Sequence, residues 1–425
     1  MSTSTQLKRE VGLGGAIMMG LGSILGTGVF VSLAIGAGIA GTAVISAVAI
    51  AALVAMCNAF SSAQLAAVHP VSGGTYEYGY KFLNPKFGFT AGWMFLCAKG
   101  ASAATAALGF SGYLCYAFSL STNLVVPIAL GAIAAMTIVV LKGIKRSNLI
   151  NIIIVSTTLA TLTFFIIAAL SSGKPEVKNL EGILPAGDSE SIYFFLQTCA
   201  LMFVAYTGYG RIATLGEEVK EPQKTIPKAI VFTLTISALL YILVTLVAVL
   251  TNGSSGFSQS INTTAAPLEI VSQSFDWKIT PIIVSIGAMT AMLGVLLNLI
   301  LGLSRTLMAM GRRSDMPEFF GKLNQSQTTP TNAVLGTFIL IAGLASIGNV
   351  STTWSFSAFT VLVYYSITNL AALKLKKDQR IYPKFFSYAG LISCLFLAFW
   401  VEIRIWQIGL VIILIGLIWH RFRQK

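Results

Sequence analysis

Apolar stretches of about 20 residues recur from one end of this 425-residue chain to the other, and each is long enough to cross a bilayer as an α-helix. About twelve are read from length and hydropathy: residues 11–38, 42–67, 88–119, 123–142, 148–171, 191–215, 229–250, 279–310, 331–348, 353–373, 385–401 and 403–420. The polar segments between them are too short to hold a soluble domain. Charged residues make up 10% of the chain, against about 25% in soluble domains. The expectation is an all-α polytopic membrane protein occupying 1–425 as a single domain.

A net charge of +13 would suit nucleic acid, but its distribution argues against that partner. With the N-terminus inside, the cytoplasmic segments carry the basic clusters 142–146, 220–228, 312–322 and 374–384, while the external ones hold Lys174, Lys178, Lys278 and Arg404. This asymmetry is the positive-inside rule, and it places both termini in the cytoplasm. The five cysteines (57, 97, 115, 199 and 394) are scattered through apolar segments without a CxxC spacing. They indicate neither a metal site nor a disulfide framework, and no cofactor is expected.

The first span is interrupted by Gly22-Ser23-Ile24-Leu25-Gly26-Thr27-Gly28. Glycine costs about 1 kcal/mol per helix position, and an unpaired backbone group in a bilayer costs several kcal/mol. Such a break persists where the freed N–H and C=O groups meet something other than lipid; a packing glycine cluster is the plainer alternative. A second break, Ala205-Tyr206-Thr207-Gly208-Tyr209-Gly210, interrupts the sixth span. Two breaks, each opening a run of five helices, are expected of an inverted repeat whose broken helices hold a substrate near the midplane. The repeats would be 11–171 and 191–373, with 385–420 supplying two peripheral helices.

The run from Gly208 to Pro227 (GYGRIATLGEEVKEPQKTIP) resembles the helix 6 signature of the amino acid–polyamine–organocation (APC) superfamily, most closely that of cationic amino acid transporters. The loop Pro70-Val71-Ser72-Gly73-Gly74-Thr75-Tyr76 with Gly92-Trp93, and the run Arg305 to Pro317 (RTLMAMGRRSDMP), resemble further motifs of that superfamily. The resemblance implies a ten-helix core of the leucine-transporter type plus two peripheral helices, and an amino acid permease working by alternating access. It also implies that the N–H groups of Gly26, Thr27 and Gly28 receive a substrate α-carboxylate, in line with the physics of helix N-termini. The α-amine would go to the carbonyls of Ile24, Val204 and Thr207, beside Gly208.

Several positions depart from that pattern. Ala98 and Gly210 stand where the basic-substrate transporters carry acidic residues, so a cationic side chain would enter unpaired at a cost of several kcal/mol. A neutral or acidic amino acid is therefore expected. Lys99 and Arg211 lie within spans, and intramembrane charges are functional candidates by default. One reading has either of them attract a substrate carboxylate; the other has Lys99 bond backbone carbonyls and Arg211 cap a helix or pair with Glu217 or Glu218. Helix 8 offers Leu293 and Gly294 where sodium-coupled relatives place hydroxyls, and Thr158 aligns with a helix 5 lysine of many sodium-independent ones. Sodium-independent exchange or facilitated uptake is expected, with proton coupling as the alternative. Phe203, Tyr206 and Trp354 are candidate gate aromatics, although Val204 stands where many relatives carry a bulky one.

An enzyme is not expected: His69 and His420 are the only histidines, and no HExxH or GxSxG arrangement occurs. A channel would need a repeated selectivity motif or a charged pore ring. An amino acid sensor on the same fold stays open. No accessory subunit is indicated.

Overall fold

The computed structural model describes residues 9–172, 175–263, 266–324 and 329–423, and for 144–146 and 260–263 the backbone only. Lys174, one of the external charges above, lies outside the described residues. The first span is two helices, α1 (Leu13–Ile24) and α2 (Leu33–Ala40), joined through Leu25–Thr27 and a π-helical turn at Gly28–Ser32. Then come α3 (Val44–Val68), a short α4 (Thr75–Phe82), α5 (Pro85–Ala117), α6 (Val125–Leu141) and α7 (Ile144–Ser171). The sixth span is likewise divided, into α8 (Ser189–Tyr206), a 3₁₀ turn at Thr207–Tyr209 and α9 (Gly210–Ala213). It is followed by α10 (Pro222–Thr263), α11 (Pro267–Ser272), α12 (Thr280–Arg312), α13 (Thr331–Ala345), α14 (Val350–Leu373), α15 (Lys384–Ala398) and α16 (Ile403–Arg423). Among the described residues there is no β-strand, only an isolated bridge between Val11 and Val219.

Helix starts follow from local chemistry. Asn84, Asp188 and Asn349 each accept a backbone N–H three residues on, from Phe87, Ser191 and Thr352, which satisfies donors the first helical turn leaves free. Pro85 follows Asn84 at a position where its missing N–H costs nothing. Within α10, Gly253 (φ 66°, ψ 166°) leaves helical geometry, so the last ten residues form a separate helical piece.

Among the described residues, eight helical segments are long and apolar enough to cross a membrane by length and composition. The centre of the bundle is α5, which runs along both α12 and α14. Its Ala98, Ala101, Ala103, Ala104, Ala106 and Ala107 are fully buried, and such small side chains let neighbouring backbones approach closely. Hydrogen bonds between Ser102 and Ser357 (2.8 Å), and from Thr105 to Thr353 (2.7 Å), tie α5 to α14. The last helix is peripheral: 22% of the α16 span is buried, against 78% of α14.

Candidate substrate site

At the first break, Leu25 is extended (φ −75°, ψ 97°) and its N–H closes the last bond of α1, to Leu21 O at 2.7 Å. Helical bonding resumes when Val29 and Phe30 both donate to Gly26 O, at 3.1 and 3.0 Å. The Gly26 N–H thus finds no backbone acceptor among the described residues, and Thr27 and Gly28 follow it into the π-helical turn. Glycine is demanded by closeness here: a Cβ on Gly26 would lie 2.4 Å from Val295, and one on Gly28 2.6 Å from the Tyr241 hydroxyl. Tyr241, on α10, donates to Ile24 O at 2.6 Å and so satisfies a carbonyl at the end of α1.

The second break is a tightened turn rather than an extended one. Thr207 caps α8 by donating both its N–H and its hydroxyl to Val204 O, the latter at 2.8 Å. Gly208 lies against the end of α1, where a Cβ would be 2.3 Å from Ser23 O. The two breaks therefore touch, and only glycine permits it. Between them is a cavity of about 20 Å³, lined by Ser23, Thr27, Gly28, Val204, Gly208 and Trp354 with Lys99 and Ser102 of α5. That is about the room one water needs, so admitting an amino acid requires its walls to part.

Lys99 is 3% exposed. Its Nζ donates to Thr207 O at 3.2 Å and to Thr207 Oγ1 at 2.6 Å, and Thr207 O also accepts the Tyr365 hydroxyl at 3.1 Å. The carbonyls expected to hold a substrate amine are thus already engaged: Ile24 by Tyr241, Val204 by Thr207, and Thr207 by Lys99 and Tyr365. The free groups at the cavity are donors. Beside the Gly26 N–H, the indole Nε1 of Trp354 and the hydroxyl of Thr27 are buried without a hydrogen-bond partner.

Other residues singled out in the sequence lie away from the cavity lining. Thr158 turns its hydroxyl back onto Ile154 O of its own helix, 2.9 Å away, and does not line the cavity. The α7 residue against Gly294 is Ile154 instead, one helical turn before the position that alignment indicates. Arg211 is buried but points away from the cavity, past Gly302 of α12, where a Cβ would meet its Cδ at 3.3 Å. Its Nη1 donates to Thr214 Oγ1 at 2.9 Å. Neither Glu217 nor Glu218 ion-pairs with it, because Glu218 pairs with Arg305 (3.0 Å) and Glu217 with Arg312 (3.6 Å).

Among the gate candidates, Trp354 lines the cavity. Tyr206 instead bonds Val48 O on α3 (3.2 Å) and packs on Tyr241, while Phe203 meets Tyr365 edge-on at 5.7 Å. Ala98 and Gly210 remain without a counter-charge: Ala98 O accepts Ser357, and a Cβ on Gly210 would lie 2.8 Å from Tyr365 OH.

Sequence reasoning missed Tyr241 and Tyr365, and also Asn151 and Asn298. These two amides meet between α7 and α12 at 2.5 Å, and Asn151 donates to Met18 O at 2.9 Å. Asparagine in an apolar helix was the available signal. The Arg305–Glu218 pair closes the N-terminal end of the bundle. There Glu10 and Val11 donate to Glu218 O (2.9 and 3.0 Å), and Lys220 donates to Val11 O (2.8 Å).

Residues 11–409 match the family model described as amino acid permease. The chain belongs to the amino acid permease family. It is 37% identical over 396 residues to an uncharacterized transporter of Mycobacterium tuberculosis, covering 93% of this chain and 86% of the relative. It is 30% identical to the branched-chain amino acid permease of Bacillus subtilis, over 97% and 93% of the two chains. Cationic amino acid transporter 7 of Arabidopsis thaliana is 29% identical, over 86% of this permease and 65% of the plant chain. Family and apolar helices together make this permease an integral membrane protein of the APC superfamily.

Proposed function

We propose that this permease carries neutral or acidic amino acids by alternating access, without sodium, holding them between the two helix breaks. The observation that carries the reading is the opened first break, where the Gly26 N–H has no backbone acceptor among the described residues and Thr27 and Gly28 line a cavity at which α1 touches Gly208. Aligned amides at a helix N-terminus attract a carboxylate. The substrate α-carboxylate sits there, and the amine goes to the Thr207 end of α8, whose carbonyls carry the opposite partial charge.

Sodium independence rests on the ground between α1, α7 and α12. A hard cation needs several oxygen ligands. Here Gly294 faces the methyl groups of Ile154, Thr158 bonds its own helix, and the amides of Asn151 and Asn298 bond each other. Twelve spans are proposed: the eight apolar segments, one of which (Leu13–Val68) is long enough for two, with α5, α13 and α15. Residues 11–171 and 191–373 are proposed as the inverted repeats, each opened by its broken helix, with 385–420 peripheral and both termini cytoplasmic.

Counterflow in proteoliposomes tests the function. Vesicles loaded with an unlabelled amino acid should accumulate the labelled form transiently, in sodium as in choline buffer. Binding without accumulation would instead favour a sensor, and a sodium requirement would remove the coupling assignment.

A further inference from the structure

Resting on the proposed carboxylate site, we infer that the permease selects amino acids bearing a second carboxylate, and that Lys99 is the residue that selects them. The cavity is lined by Lys99 and by no Asp or Glu among the described residues. A cation left there without an anion costs several kcal/mol. Its Nζ has three N–H donors, and two of them point at Thr207 O and Thr207 Oγ1. The third is free for an acceptor, as is Nε1 of Trp354 on the same cavity. Donors therefore line the site: backbone N–H at the first break, the ammonium of Lys99 and the indole of Trp354.

A zwitterion with an anionic side chain matches that arrangement. Its α-carboxylate takes the N–H groups of Gly26 to Gly28. Its side-chain carboxylate draws Lys99 off Thr207 and accepts from Trp354. Its own ammonium then takes the Thr207 oxygens that Lys99 has released. One ammonium replaces another at Thr207, so neither the lysine nor the substrate amine is left without acceptors. A neutral side chain offers Lys99 no anion to move toward, and the substrate amine must then compete with it for Thr207.

The test is binding of L-glutamate, L-glutamine, L-aspartate, L-asparagine and 2-oxoglutarate to the purified full chain in nanodiscs, read by thermal shift and by competition with a labelled amino acid. One of the acids should bind at least about tenfold tighter than its amide, the scale of a charged hydrogen bond. In Lys99→Met the preference for the acid over its amide should vanish. The matching 2-oxo acid should bind more weakly than glutamate, because it brings no ammonium to Thr207. Amides binding as well as acids to the wild type would overturn the inference without any variant, and so would a preference that survives in Lys99→Met. In both of those outcomes the transporter reading stands, whereas failure of every amino acid to bind would overturn both.

Discussion

The contact between the two helix breaks can be tested at one atom. In Gly208→Ala the new methyl group would lie 2.3 Å from Ser23 O and 2.6 Å from Cγ1 of Ile24, where ordinary contact begins near 3.4 Å. The nearest atom is backbone, so no rotamer relieves the clash, and the end of α1 must withdraw by about 1 Å. Overpacking of this kind costs about 1–3 kcal/mol, equivalent to about 5- to 150-fold in an equilibrium constant. Because Ser23 and Ile24 lead directly into Leu25 and Gly26, the cost falls on the geometry of the first break. Initial rates of labelled amino acid uptake into proteoliposomes should therefore drop at least fivefold, while the detergent-solubilised variant still elutes as a folded species. Gly343→Ala on α13 is the control, since its Cβ would meet nothing within 4 Å; relief from glycine's helix penalty makes it neutral or slightly stabilising. Wild-type uptake by Gly208→Ala would refute the contact between the breaks.

Arg305→Leu should lower the melting temperature sharply, because it leaves Glu218 buried and unpaired, at about 3–5 kcal/mol; the double variant Arg305→Met with Glu218→Leu should recover most of the loss, and an unchanged single variant would contradict the pairing. Thr158→Val should leave uptake and its sodium independence unaltered, since the hydroxyl serves only its own helix; lost uptake would return Thr158 to the site. His69, at the end of α3, has its pKa lowered by burial and then by Lys81 and Arg313. The unfolded chain thus takes up this proton more readily than the folded one, so stability is unaffected above the usual histidine range and falls as pH drops below about 6.5. Thermal melts from pH 7.5 to 5 should show a smaller acid loss in His69→Gln, and an equal loss would place the titrating group elsewhere.

The helical architecture was readable in the residues because the period and length of apolar runs report the solvent directly. Every run assigned from hydropathy falls on a helix, and even the divided spans were marked by their glycines. The first break starts where Leu25-Gly26 suggests, since Gly26 and Gly28 are the positions where a side chain would collide with Val295 and Tyr241. Burial of Lys99 within a span was likewise legible, because a charge in such a run has to be accommodated somewhere.

The direction in which each buried polar side chain points was not legible. Lys99 and Arg211 looked alike as intramembrane cations, yet one lines the cavity and the other passes behind it beside Gly302. Thr158 lies one helical turn beyond Ile154, the α7 residue that faces Gly294, an axial offset that the sequence does not report. The partners of Thr207 come from α5 and α14, more than a hundred residues away in either direction. Local sequence thus determined where the chain is helical and where it breaks, because propensity and hydropathy act over a few residues. Tertiary packing alone decided which donors and acceptors meet at the breaks, because hydrogen bonds between spans depend on the rotation and depth of each helix against its neighbours.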